Sequence, residues 1–305
     1  MWTRSFPFLS LLSLSLSTAA RFGSSGRLFA TVSPRRAPAT ATAALAKSST
    51  DDILKLRGGA GPLDPSIVVK TASVIAGIQG LVVQFAPVDT AVFYGHDEED
   101  STKPMNELFT AYSGTAILTW AATVAYLCFV DNATAKGAFV VCAHIWIYEN
   151  LRNLLGKTLE AAGGSSIGIK FSLVIELLGL YGMTQDYAET VLKVLGVFFS
   201  LSGLHMILDP AGSIRLWNQS EDMDDLGKAW WQFFGHGILA QSLVFVAMSF
   251  LDYDGLKAVG LGSVSWLLSH VYGIVSGRDD KLGIPRNPML FWLVYHAVVI
   301  YTTLF

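Results

Sequence analysis

Charge is what this sequence has least of. Only 15% of its 305 residues are Asp, Glu, Lys or Arg, where soluble domains carry about 25%. The shortfall is concentrated in runs of roughly 20 residues, long enough to cross a bilayer. Cysteine is almost missing as well. Cys128 and Cys142 both lie in apolar segments, which excludes a disulfide framework. There is no excess of basic residues: the net charge of −3 excludes nucleic acid as a partner. No Glu-x-x-His, His-x-x-x-His or cysteine pair at ligand spacing occurs, so no local motif names a metal or other cofactor. Gly163-Gly164-Ser165-Ser166 is Gly-rich but lacks the Lys and the strand–helix setting of a phosphate-binding loop, and reads as a turn.

Acidic residues are also missing before Asp51. Met1 to Arg4 is a short basic start, Ser5 to Ser17 is apolar but Ser-interrupted, and Thr18-Ala19-Ala20 offers small residues for cleavage. Residues 1–20 therefore resemble a secretory signal peptide. Residues 21–60 begin rich in Ala, Ser, Thr and Arg, like a transit peptide, and end in the Gly-rich hinge around Gly58-Gly59. A signal followed by a transit-like stretch resembles the two-part presequence of algae with secondary plastids. A plastid membrane is favoured, with endomembrane and mitochondrial locations left open.

What is present is a series of apolar segments, at approximately 66–88, 107–130, 136–155, 166–184, 189–208, 229–251, 256–276 and 288–305. In hydrocarbon each satisfies its backbone internally only as a helix. The expected fold is an all-α, polytopic membrane bundle of about eight transmembrane helices. The two halves, 66–187 and 188–305, align as four-helix repeats. Lys70 falls on Lys193, Gly80 on Gly203, Pro87 on Pro210 and Tyr94 on Trp217. Farther along, Gly114 falls on Gly235, Phe129 on Phe250, Lys136 on Lys257 and Gly156 on Gly277. An even number of spans per repeat makes the two repeats parallel. The paired glycines suit close helix packing in lipid. Trp217, Trp230, Trp231, Tyr94 and Tyr112 lie near span ends and read as interfacial anchors. Lys and Arg gather in the long loops, which places those on the cytosolic or stromal side. The acidic runs 97–100 and 221–225 in the same loops read as solvated faces.

Ionisable groups inside a membrane are costly, so each is a functional candidate. Glu149, Glu176, His236, His270 and His296 all fall roughly two helical turns in from the long-loop side, with His205 shallower and His144 nearer the other face. Glu176, His236, His270 and His296 are the candidate catalytic set, the three histidines doubling as candidate metal ligands. Glu149 and Arg152, three apart on one helical face, form either a structural pair or a headgroup-binding site.

Each half resembles the four-helix membrane modules of the DoxX-like families, over most of residues 66–305. The stretch from Phe109 to Gly156 carries the resemblance: Tyr112-Ser113-Gly114 opens one helix and Glu149-Asn150-Leu151-Arg152 closes the next. Its counterpart runs from Phe233-Phe234-Gly235 to Gly277, with His270-Val271-Tyr272-Gly273 where the first copy has its Asn-Leu-Arg end. The resemblance implies tandem four-helix modules and little chemistry. The first functional expectation is a non-catalytic integral membrane protein with an organising, assembly or lipid-binding role, its partners the lipid bilayer and another membrane protein. The alternatives are a membrane redox protein or enzyme using the Glu/His layer, and a transporter of a small solute or protons.

Overall fold

The computed structural model describes residues 64–218 and 223–305. The signal-like and transit-like segments lie outside these residues. The described chain is helical throughout: α1 (Pro65–Phe85), α2 (Pro87–Phe93), α3 (Glu98–Ser101), α4 (Pro104–Phe129), α5 (Ala135–Gly156), α6 (Thr158–Ala161), α7 (Ile167–Gly182), α8 (Ala188–Leu208), α9 (Pro210–Asn218), α10 (Asp225–Phe250), α11 (Gly255–Val275), α12 (Arg278–Lys281) and α13 (Arg286–Leu304). Among the described residues there is no strand.

Every apolar segment read from the sequence coincides with a long helix. Six of them, α1, α4, α8, α10, α11 and α13, are long and apolar enough to cross a membrane, as a multi-pass membrane protein requires. The other two expected spans, α5 and α7, are not among the six. Helix α7 has 16 residues, about 24 Å at 1.5 Å per residue, against a hydrocarbon core of about 30 Å. Helix α5 has 22 residues but carries His144 near its middle and Glu149, Asn150, Arg152 and Asn153 in its second half.

Local chemistry sets the helix ends. Pro87 and Pro210 each follow the end of a long helix and open a short one, because proline ends the preceding ladder but fits a first turn. Asp64, Thr134, Asp224 and Asp254 cap α1, α5, α10 and α11 with their side-chain oxygens. The two short turns, 130–134 and 251–254, each contain one left-handed Asx residue, Asn132 and Asp252.

The most extensive pairings are α1 with α4 and α8 with α10, while α4 and α10 also pack on each other at the centre. Around that centre the chain halves interlock. Helices α11 and α13 pack together and reach across to α1 and α4, and Tyr295 donates to the Ala72 carbonyl at 2.6 Å. Helices α5 and α7 pack together and reach across to α8 and α10. Contacts therefore run across the halves as well as within them, where α11 packs on α10 and α5 on α4. The aromatic residues expected at the membrane interface are instead inside: Tyr112, Trp230 and Trp231 are buried between α4 and α10, because the short helices cover the ends of the long ones. Large apolar side chains such as Ile78 on α1, Leu178 on α7, Leu201 on α8 and Tyr301 on α13 are exposed, which suits lipid and not water.

The long connections meet at one end of the bundle. Asp224 accepts from Asn106 Nδ2 at 2.9 Å and from Lys103 Nζ at 3.0 Å, joining the start of α4 to the start of α10. Of the acidic residues there, Asp224 is thus paired, while Asp225 is exposed. His96, on the α2–α3 loop, is buried with Nδ1 3.1 Å from the Leu282 carbonyl oxygen. Burial holds the imidazole below its ordinary value near 6.5, against the opposing pull of that carbonyl and of Asp279, Asp100 and Asp97. The unfolded chain then binds the proton more readily, so stability is full above pH 6.5 and falls as the pH drops below it. We expect the melting temperature of the protein to fall between pH 7.5 and 5, and His96→Gln to flatten that part of the pH profile. A thermal-melting series checks this.

Candidate functional site

The intramembrane polar residues fall into three separate clusters. In the first, Glu149 is fully buried and both its carboxylate oxygens are used. It accepts from Gln84 Nε2 at 2.8 Å, Arg152 Nε at 3.0 Å, Arg152 Nη2 at 2.5 Å and Asn153 Nδ2 at 2.7 Å. Gln84 comes from the end of α1, so this carboxylate ties α5 to α1. Of the two readings open for Glu149 and Arg152, the geometry is that of a paired structural network.

The second cluster is the histidine group. His270 and His296 come together with ring centroids 5.8 Å apart and planes 21° from parallel, and Trp266 continues the stack on His296 at 6.2 Å. His236 is placed differently, with Nδ1 3.3 Å from Ser265 Oγ, which itself donates to the His236 carbonyl. Imidazole lone pairs lie in the ring plane, so stacked rings present faces to each other and do not converge on one ion. Among the described residues no group of three or more His, Cys, Asp and Glu side chains could hold a metal ion. His144 bonds within its own helix, to the Val140 carbonyl at 2.7 Å.

Glu176 stands apart from the histidines, in the third cluster. It lies on α7 and is buried. Asn150 Nδ2 donates to its two oxygens at 2.9 and 3.0 Å, and Ser172 Oγ donates at 2.8 Å. This carboxyl lines a cavity of about 110 Å³. The walls are aromatic: Phe139 and Trp146 from α5, Phe198 and Phe199 from α8, Trp217 from α9, and Trp231, Phe234 and Phe245 from α10. Deeper in, Gln241 accepts from Trp146 Nε1 at 3.1 Å and Cys142 Sγ at 3.2 Å, and donates to the Ala116 carbonyl at 3.0 Å. Its hydrogen-bonding capacity is therefore largely taken up. Tyr112 and Trp217 also line the cavity, and Tyr112 Oη and Trp217 Nε1 are buried with no hydrogen-bond partner among the described residues.

The cavity is enclosed by α4, α5 and α10 and less closely by α7 and α8. Helices α7 and α8 touch each other sparingly. The lining residues they supply, Ser172 and Ile175 on one and Phe198, Phe199 and Ser202 on the other, are partly exposed. The opening therefore faces sideways, between two helices whose outer surfaces are apolar. A smaller cavity of about 50 Å³ lies under the α12 turn, lined by Tyr94, His96, Trp230, His270 and Asp279 among others.

No protein-family model, no curated protein and no solved structure matches this chain.

The ionisable residues of the sequence point to Glu176 but not to its surroundings. Asn150 was visible only as part of a helix end. Gln241, Tyr112 and Trp217 carry no charge and escape a search for ionisable groups. An uncharged amide in the middle of an otherwise apolar helix was the one signal that would have found Gln241, since a buried amide in lipid needs partners as much as a charge does.

Proposed function

We propose that this protein is a multi-pass membrane protein of eight transmembrane helices that takes an amphiphilic molecule out of the bilayer, sideways, into the aromatic cavity beside Glu176. The observation that carries this is the opening between α7 and α8, where partly exposed lining residues of both helices meet an apolar outer surface. A ligand arriving from water would have to cross the end covered by α9. One arriving from lipid would not.

Two further features support eight spans. Helix α7 exposes Phe171, Val174, Leu177, Leu178 and Tyr181, a face suited to acyl chains, and a short span is accommodated by local thinning of the bilayer. Helix α5 has 12 buried residues among its 22, and a helix screened from lipid tolerates polar residues that a lipid-facing one does not. A parallel duplication of DoxX-like modules is supported by matching contacts at corresponding positions. Lys70 lies over the Phe129 ring at 5.1 Å, and Lys193 over the Phe250 ring at 5.4 Å. A plastid membrane remains our proposed location, resting on the composition of residues 1–50.

Binding and not catalysis is proposed because Glu149 and Gln241 are bound up in structural hydrogen bonds and the histidines stack away from Glu176. The test is to purify the protein in mild detergent, extract it with organic solvent, and identify what co-purifies by mass spectrometry. We expect a bound amphiphile in near-stoichiometric amount. Ser202→Trp, which fills the mouth from α8, should lose it while keeping the wild-type melting temperature to within a few degrees. Absence of any molecule from the wild-type extract, or its undiminished recovery from the Ser202→Trp variant, would sink the reading.

A further inference from the structure

Glu176 is the one charged side chain in the wall of the aromatic cavity. Of the 22 residues that line it nine are aromatic, and none is Lys, Arg, His or Asp. Glu176 is only 5% exposed, and its hydrogen-bond partners, Asn150 and Ser172, are neutral. No ion pair among the described residues includes it. That sets it apart from Glu149, which is also buried but paired with Arg152. A charge taken out of water has to be neutralised or paired. The fold supplies Glu176 with no counter-charge, so this carboxyl is either protonated or answered by a cation from outside. The rest of the wall suits a cation. Trp146 stands one turn before Asn150 on α5. Phe234 follows Trp146 at 5.6 Å between ring centroids, and Trp231 follows Phe234 at 5.1 Å. Aromatic rings attract a cation through their quadrupole, most strongly where water is excluded.

We infer that the ligand is a cationic amphiphile: an apolar chain or ring system ending in an alkylated ammonium group. This rests on the cavity being an amphiphile site and goes further by fixing the charge of its polar end. The ammonium supplies the counter-charge that Glu176 lacks, and its alkyl groups suit a wall made largely of rings. Other ligands fit less well. A calcium ion takes about six to eight oxygen ligands, and among the described residues no group of three or more His, Cys, Asp and Glu side chains could hold a metal ion. An unsubstituted ammonium brings three N–H donors to a wall with more rings than acceptors. A fatty acid would set a second carboxylate in the cavity and be repelled. A neutral lipid leaves Glu176 without a counter-charge. Size agrees with entry of the cationic end alone. About 110 Å³ is smaller than the engineered cavity of about 150 Å³ that holds benzene, so the apolar remainder leaves between α7 and α8.

The test uses three fluorescent probes that share one slender apolar body: diphenylhexatriene, its trimethylammonium derivative and its propionic acid derivative. Their absorption overlaps tryptophan emission, and Trp146 and Trp231 in the cavity wall serve as donors of excitation. The protein is titrated in maltoside micelles, whose headgroups carry neither charge nor choline, and sensitised emission is followed. We expect saturable binding of the trimethylammonium probe, with the neutral and acidic probes weaker by about tenfold or more. Glu176→Gln removes the charge and keeps an acceptor for Asn150 and Ser172. It should weaken the trimethylammonium probe by about tenfold or more and leave the neutral probe unchanged. Equal binding of the three probes to the wild-type protein would overturn the inference while leaving the amphiphile cavity standing, and this comparison needs no variant to fold. Indifference of the trimethylammonium probe to Glu176→Gln would overturn it equally. Failure of all three probes to bind would remove the inference and the cavity reading together.

Discussion

Replacing Glu149 by leucine should cost the fold about 3 kcal/mol or more, which for a marginally stable bundle means loss of most folded protein. The side chain is fully buried and receives four donated hydrogen bonds from Gln84, Arg152 and Asn153. Removing it leaves an Arg guanidinium and two amides without an acceptor, and the penalty for orphaned buried donors exceeds the worth of the bonds themselves. The Arg152 side chain is 34% exposed, so water relieves part of its charge and the figure sits at the lower end of the usual range for a broken buried pair. The double replacement Glu149→Leu with Arg152→Met should recover part of the loss, because no charge is then stranded. Fluorescence-detected size-exclusion profiles and melting curves of the three proteins check this. A single Glu149→Leu variant as stable as wild type would show that the network contributes nothing.

An effect of similar size is expected at the glycines between the paired long helices. A Cβ placed on Gly80 would come within 2.6 Å of the Leu118 backbone nitrogen, and one on Gly203 within 2.9 Å of the Gly235 oxygen and the Leu239 nitrogen. Backbone cannot rotate away as a side-chain tip does, so the helices themselves must separate. Overpacking of a tight core costs about 1–3 kcal/mol when side chains can adjust, and more when they cannot. Gly80→Val should therefore part α1 from α4, and Gly203→Val part α8 from α10, each abolishing monodisperse protein. Gly77 provides the control. Its added Cβ would meet Ala121 Cβ at 3.7 Å, an ordinary contact, so Gly77→Ala should behave as wild type. Equal collapse at Gly80 and Gly203 would also support the duplication, which aligns these two positions. Wild-type behaviour of either valine variant would contradict the close approach.

The long helices were legible in the sequence because hydrocarbon leaves a backbone no alternative, and so run length alone locates a helix. Gly80, Gly114, Gly203 and Gly235 were legible as packing positions for a similar reason, since only small residues admit so close an approach. The site was much less so. Glu176 and the histidines share a depth along their helices, and depth suggested one layer. Which face of a helix a residue occupies relative to other helices depends on how the halves pack, and here they interlock. That packing puts Glu176 on α7 in one cavity with residues of α5, α8 and α10, and stacks His270 on His296 and against Phe233 of α10. Tryptophans near helix ends read as interfacial for the same reason. Nothing in the linear order shows that α2 and α9 fold back to cover them.

The interlocking also bears on how the protein is made. Among the described helices, α1 and α4 come well before α11 and α13, which they touch in the finished fold. The flank of α1 and α4 that meets α11 and α13 stays open until those two helices have followed. The pair α5 and α7, by contrast, finds α8 and α10 as soon as these emerge. The aromatic cavity can therefore close once α10 has followed α8, while the histidine side of the molecule is sealed only after α13.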